Sequence, residues 1–345
     1  MDRSKTLIMT KLVTAGVLTC SLFSVLSGGN ASASGGPKKT LEWIETQGGI
    51  PYYNPLNVGF KLEAKKLGFN VVVASPSTAT ESSQIPYIQQ AIVKHVAGIA
   101  IQPNSATALL AVFRKAKAAG IKIVETDSDS LAKSVRVAGV TSVNYALVGP
   151  SQLAEVGQLM NYTGDFAIVS ALSTSVAQSS WVVQIQNLLK TDPKYANMTL
   201  VDVVYGNDVT ATDVSVTKAL LTQFPNLKAI LSPTTVGLAG VSQAVDSAGM
   251  GGKIIVTGLG EPIEMKQYIL NKTVSQYQLW NVESMGIVSA YVLAQSLTGR
   301  KFSAGTRFQV PGSGLGTLKV NPGGGIYCQS KLTTFDLANV NQFNF

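Results

Sequence analysis

The chain has 345 residues, 46% of them hydrophobic and 13% charged, with a formal net charge of +8. Its length suits two domains of ordinary size. Its lysines (Lys61, Lys65, Lys66, Lys94, Lys115, Lys117) are scattered at solvent-facing helical spacing rather than gathered on one face or arm, which argues against a nucleic-acid partner.

Residues 1–33 read as an export signal. Arg3, Lys5 and Lys11 form a positive start, Leu12 to Leu26 an apolar core, and Gly28-Gly29 a break before the small-x-small pattern Ala31-Ser32-Ala33. An uncleaved membrane anchor would need ~20 apolar residues, more than this run supplies. Lipid attachment at Cys20 is the other reading, but Thr19 precedes it where such signals carry Gly, Ala or Ser. Cleavage after Ala33 removes Arg3, Lys5, Lys11 and Asp2, which leaves +6 on the mature chain. It also leaves Cys328 as the single cysteine, so no intrachain disulfide forms, and Cys328 reads as a buried structural cysteine. Cys328 and the lone His95 cannot assemble a zinc site of three or four ligands, and no cofactor is expected.

Residues 34–40 look like a tether. After them, short apolar strands alternate with amphipathic helices: strand Leu41–Thr46, helix Tyr52–Leu67 closed by Gly68, strand Asn70–Ala74, a helix from about Ser82 to Lys94, and strand Gly98–Gln102. A helix over Ala106–Ala119, ended by Gly120, leads to strand Lys122–Thr126. The pattern repeats with strands Ala167–Ser170, Thr199–Val204, Ala229–Ser232, Lys253–Thr257 and Thr273–Gln278. Helices near 178–189, 211–224, 237–248 and 261–270 lie between them, and a last one near 284–297 crosses back to the first unit. Strands separated by helices of this length predict right-handed crossovers in parallel sheets.

The expected fold is therefore α/β: two doubly wound parallel-sheet lobes joined by a hinge. Residues 41–142 with about 282–306 would form the N-terminal lobe, and 143–281 with about 307–345 the C-terminal lobe. The tail from Arg307 suggests short strands crossing the hinge.

Ligands of parallel sheets sit beyond the carboxyl ends of the strands, so the loops there hold the candidate site. After the first strand, whose end carries Thr46, Gly48-Gly49-Ile50-Pro51 turns into Tyr52-Tyr53. Two aromatics at a helix start offer flat faces for the C–H faces of a sugar ring, while one of them is expected to anchor the helix in the core. After the fourth strand, Asp127 and Asp129 can each accept two hydroxyl hydrogen bonds, and Asp129 can instead cap a turn. In the second half, Gln178 and Trp181 follow one strand; Trp181 either covers a ligand or packs the helix. Thr234 and Thr235 follow another, and Glu261 stands at the cleft or caps a helix. Trp280 and Asn281 end the last strand, where the chain crosses between lobes. These loops carry no Arg or Lys, which a phosphate or carboxylate ligand would want.

These residues, in this order, resemble the sugar-binding class of type I periplasmic binding proteins of ABC importers. The resemblance runs over nearly the whole mature chain: Pro51-Tyr52-Tyr53, Ile101-Gln102-Pro103-Asn104, Gly120-Ile121-Lys122-Ile123-Val124 leading to Asp127, and Gly258-Leu259-Gly260. Within the class it is most similar to the rhamnose-binding and autoinducer-2-binding branch, through Thr126-Asp127-Ser128-Asp129, Gln278-Leu279-Trp280-Asn281 and the ending Phe335 to Phe345. The resemblance implies a periplasmic monomer that closes on a small neutral carbohydrate or polyol and docks on an ABC permease, with Asp127 as hydroxyl acceptor.

Autoinducer-2 binders carry a first-strand Lys, an Asp-Gln pair and Pro-x-Ala. Here those positions hold Thr46, Ala177-Gln178 and Pro233-Thr234-Thr235, which points away from autoinducer-2. An enzyme is disfavoured, because there is no Gly-x-Gly-x-x-Gly after the first strand, no Walker lysine loop, and only one His. A transcription regulator would need a helix-turn-helix where the export signal stands. A receptor subunit feeding chemotaxis or quorum sensing from a sugar-like signal remains the alternative.

Overall fold

The computed structural model describes residues 39–343 and 345; the export signal, its cleavage point at Ala33 and Cys20 lie outside them. The first lobe is built from β1 (Thr40–Ile44), α1 (Tyr53–Lys66), β2 (Asn70–Ala74), α2 (Glu81–Val93), β3 (Gly98–Ile101), α3 (Leu110–Ala118), β4 (Lys122–Thr126) and β5 (Ala138–Thr141). The second follows with α4 (Val148–Leu159), β6 (Gly164–Ser170), α5 (Val176–Thr191), β7 (Met198–Tyr205), α6 (Thr210–Gln223), β8 (Ala229–Ser232), α7 (Thr235–Ser247), β9 (Ile255–Gly258), α8 (Pro262–Leu270) and β10 (Gln276–Leu279). Then come α9 (Val282–Leu297), β11 (Arg307–Phe308), β12 (Leu318–Lys319), β13 (Gly325–Tyr327) and β14 (Thr333–Asp336).

The first sheet has the order β13-β5-β4-β3-β1-β2, with every pairing parallel. The second runs β7-β6-β8-β9, also parallel. A parallel bridge from Leu259 to Gln278 continues it to β10, which pairs antiparallel with β14. All four residues of β3 and all four of β8 are buried, as strands covered by helices on both faces must be. In each lobe the strand order reverses beside its first strand. One reversal falls between β1 and β3, the other between β6 and β8. Loops diverge at such points and leave a crevice, so these two places fix where a ligand can enter.

Helix α9 returns to the first lobe and crosses α1 at two glycines. A Cβ on Gly59 would overlap the carbonyl of Glu283, and one on Gly286 would overlap the carbonyl of Leu56, so only glycine permits this approach. Thr126 and Ser289 share a 2.8 Å hydroxyl contact that pins α9 to β4.

The three passages between lobes lie side by side. The Cys328 and Gln329 N–H groups donate to the carbonyls of Thr141 and Ser142 (2.9 and 2.7 Å), and the Asn281 N–H donates to Gln329 Oε1 (3.3 Å).

The tail departs from the sequence expectation, which places everything from residue 307 in the second lobe. Phe308 instead stacks on Tyr291 of α9, and β13 extends the first sheet beyond β5. The reason is the edge of β5: its unpaired backbone groups need a partner, and the fully buried Ile326 comes with the strand that supplies it. Only β14 onward joins the second sheet. Two elements that the sequence pattern does not reveal, β5 and α4, complete the lobes.

Candidate functional site

The loops at the two reversals enclose a cavity of about 490 Å³ of empty space between the lobes. Its first-lobe wall holds Tyr52, Tyr53, Gln102 and Asp127, and its second-lobe wall Gln178, Trp181, Asp208, Thr234 and Thr235, with Tyr145 and Trp280 at crossings. Among the described residues no Lys, Arg or His lines it.

Asp127 is the most elaborately held of these residues. Its backbone is left-handed (φ 59°), a conformation Asp tolerates better than most side chains, and its N–H donates to Val140 O at 2.8 Å. The loop around it is organised by Glu125, which is fully buried. The Glu125 carboxylate accepts from Ser128 Oγ, Ser130 N and Ser130 Oγ (2.7 Å each), Leu131 N (2.8 Å) and Arg136 Nη1 (2.8 Å). A carboxylate this well satisfied fixes the turn that presents Asp127.

At the tip of that turn, Tyr52 Oη donates to Asp127 Oδ1 at 3.0 Å and Tyr145 Oη donates to the same oxygen. Oδ2 takes neither of these two bonds, and Asp127 lines the cavity. Trp280 Nε1 donates to Tyr52 Oη (2.9 Å), which extends the chain across a crossing between lobes. A parallel chain runs from Tyr53 Oη to Gln102 Oε1 (2.6 Å) and from Gln102 Nε2 to the Asp127 carbonyl (3.3 Å), with Thr46 Oγ1 2.7 Å from Tyr53 Oη. Burial pushes the Asp127 carboxyl up to about 7, against the downward pull of the Tyr145, Tyr52 and Gln102 hydrogen bonds.

The second-lobe wall is wired more sparsely. Asp208 also has positive φ (52°) and accepts from Thr234 Oγ1 at 2.6 Å. Its carboxyl is raised by burial, with the Thr234 bond opposing. Gln178 Oε1 accepts from Ser175 Oγ, and its Nε2 has no partner among the described residues.

Aromatic rings close the space. Tyr145 meets Trp181 edge-on at 5.2 Å and lies tilted against Trp280 at 5.8 Å, while Tyr52 and Tyr53 meet edge-on at 5.6 Å. Such geometries contribute beyond simple area burial.

The structure brings Asp127, Tyr52, Tyr53, Gln178, Trp181, Thr234, Thr235 and Trp280 together around the cavity. Trp181 both packs and lines: it is 2% exposed, and its Nε1 is unpartnered among the described residues. Thr46 lines an adjoining space instead. Three expected residues lie elsewhere. Asp129 is ion-paired with Arg136 Nη2, which turns it away from the cavity. Asn281 caps α9 by accepting from Ser284 N at 3.1 Å. Glu261 sits at the start of α8 without capping it, 1% exposed, with burial and then Glu264 pushing its carboxyl up to about 8.

The sequence reading missed Gln102, Tyr145 and Asp208. Asp208 had a signal, since it follows β7 at the same end as the other site loops; Tyr145 lies on a crossing and had none. Among the described residues no group of three or more His, Cys, Asp or Glu could hold a metal ion, and no helix is long and apolar enough to cross a membrane.

Two parallel-sheet lobes, three side-by-side crossings and an interlobe cavity at paired strand reversals define a type I binding-protein fold. The chain belongs to the periplasmic binding protein domain family, whose model matches residues 43–301. It is 28% identical over 217 residues to the D-allose-binding periplasmic protein of Escherichia coli K12, covering 60% of this chain and 68% of that one. To the D-ribose/D-allose-binding protein of Pseudomonas aeruginosa it is 27% identical over 259 residues, 72% and 78% of the two chains. An ABC transporter solute-binding protein from Clostridium phytofermentas, solved with bound L-rhamnose, superposes with a TM-score of 0.83 at 28% identity, covering 89% of this chain and 98% of the other.

Proposed function

We propose that this protein is the solute-binding component of an ABC importer, capturing a small uncharged sugar or polyol between its lobes. One observation carries the reading: a cavity lined by aromatic side chains, with carboxylate, amide and hydroxyl residues from both lobes and no cationic side chain among the described residues. Asp127 accepts ligand hydroxyls through Oδ2, while Gln178 and Asp208 engage the same ligand from the opposite side. Sugar-binding names among the relatives support the class, and the sequence pattern at 1–33 supports export to the periplasm, where the protein would act as a monomer delivering to a permease.

Binding closes the cleft. Residues 41–142 with 282–306 and residues 143–281 move as two bodies about the three crossings. Ligand shifts this equilibrium only through contacts fuller in the closed state, and contacts from both walls meet that condition. The protein transports rather than converts, in keeping with the sugar-binding and transporter names of its relatives.

A thermal-shift screen of the mature protein against neutral sugars, polyols, autoinducer-2 and anionic metabolites tests this, because a ligand that binds only the folded state raises Tm by mass action. A shift with a neutral sugar or polyol supports the reading. Shifts with anions alone would overturn it, and a shift with autoinducer-2 alone would replace import with signalling.

A further inference from the structure

Beside the aromatic cavity lies a second space, about 580 Å³ with the solvent open to it counted in, bounded by both lobes and sharing Tyr53, Gln102, Ala177, Gln178 and Asp208 with the first. It differs in chemistry. Its remaining walls carry Thr46, Asn104, Ser128, Thr174 and Ser175, and it takes no aromatic residue besides the shared Tyr53. Several polar groups on these walls have no hydrogen-bond partner among the described residues. Thr174 Oγ1 makes no bond; Asn104 spends its Nδ2 on the Thr46 and Thr80 carbonyls and leaves Oδ1 free. Gln178 Nε2 and Asp208 Oδ2 are likewise free, and both stand on the boundary between the two spaces.

Ala79, Pro103, Leu172, Val176 and Ala177 supply apolar patches between these groups, and no Lys, Arg or His lines the space among the described residues; unspent donors and acceptors in such a setting suit a second polyhydroxylated unit. A single sugar ring held in the first cavity would leave them unused. We infer that the cleft has two subsites and takes a disaccharide or polar glycoside, with one ring in the aromatic cavity and the next in the hydroxyl- and amide-lined space. Gln178 and Asp208 then face the linkage between the rings. This rests on the reading of the first cavity as a neutral-sugar site.

The test compares each monosaccharide with disaccharides that carry it as terminal ring, by calorimetric titration of the mature protein. L-rhamnose is paired with rutinose, D-galactose with lactose and melibiose, and D-glucose with maltose and cellobiose. Two variants fill the second space from opposite lobes, Ala79→Trp and Thr174→Trp; both residues line it and neither lines the first cavity. A disaccharide binding at least tenfold tighter than its terminal sugar is expected, with either variant abolishing that advantage while leaving the monosaccharide within twofold. If monosaccharides bind and no disaccharide binds tighter, the two-subsite inference falls and the sugar site stands. If an advantage exists but both folded variants retain it, the second ring lies elsewhere and the inference also falls. If no sugar binds at all, the underlying reading of the first cavity fails with it.

Discussion

The two walls of the cleft are built differently. On the first-lobe side, Asp127 is gripped by two tyrosine hydroxyls, its turn is fastened by five hydrogen bonds to Glu125, and Tyr53 and Gln102 form a second linked chain. On the second-lobe side, Asp208 is held by Thr234 and Gln178 by Ser175, each through one bond. A wall whose polar groups are already oriented loses little entropy on meeting a ligand, while one with free donors gains most of its bonds only on closure. The first lobe should therefore set affinity, and the second should convert binding into closure.

The largest effect is predicted at Asp127. Hydrogen bonds to a charged acceptor contribute about 1.5–3 kcal/mol each, so at pH 8.5, where the Asp127 carboxyl is ionised, Asp127→Asn should weaken sugar binding by about 100-fold or more in calorimetric titration. Gln178→Ala removes a neutral partner from the sparser wall and should cost roughly tenfold. An equal loss from both variants would erase the distinction between walls. Trp280→Phe keeps an aromatic ring but deletes the 2.9 Å bond to Tyr52, and should weaken binding by only about threefold to fivefold through looser positioning of Asp127.

A smaller effect concerns pH. Burial raises the carboxyls of Asp127, Glu42, Glu155 and Asp213 to about 7 and that of Glu261 to about 8. An acid whose folded pKa exceeds its unfolded value contributes stability that is full below the unfolded value, near 4, and is lost as pH rises through the folded one. The ligand-free protein should therefore show a higher Tm at pH 5.5 than at pH 8.5. Asp213, fully buried with both carboxylate oxygens unpartnered among the described residues, belongs to the second lobe. Asp213→Asn should flatten that slope without altering sugar affinity at neutral pH.

Much of the frame is legible in the residues themselves. Asn70–Ala74, Lys122–Thr126 and Ala229–Ser232 are short β-branched or apolar runs with clear bounds, and they form strands at those limits. Helix α4 is hidden because Gly149, Pro150 and Gly157 interrupt its pattern, and β5 because Ala138-Gly139-Val140-Thr141 is too short to declare itself. The site was half legible for a similar reason. Strand ends point to loops, but not to the residue within a loop that faces inward. Asp127 and Asp129 are two positions apart on one turn, and Arg136, seven residues beyond Asp129 in the chain, claims the second of them. Tyr145 reaches Asp127 only because the first crossing folds back beneath the cleft, a tertiary event that leaves no local pattern.

The central claim is that one neutral ligand is held by both walls at once. A crystal structure of the mature protein with the strongest sugar hit tests it most directly. The account predicts a ring between the Tyr52–Asp127–Tyr145 group and Gln178 and Asp208, with Asp127 Oδ2 within hydrogen-bond reach of a ligand hydroxyl. A ligand resting on one lobe alone, or seated away from Asp127, would contradict it.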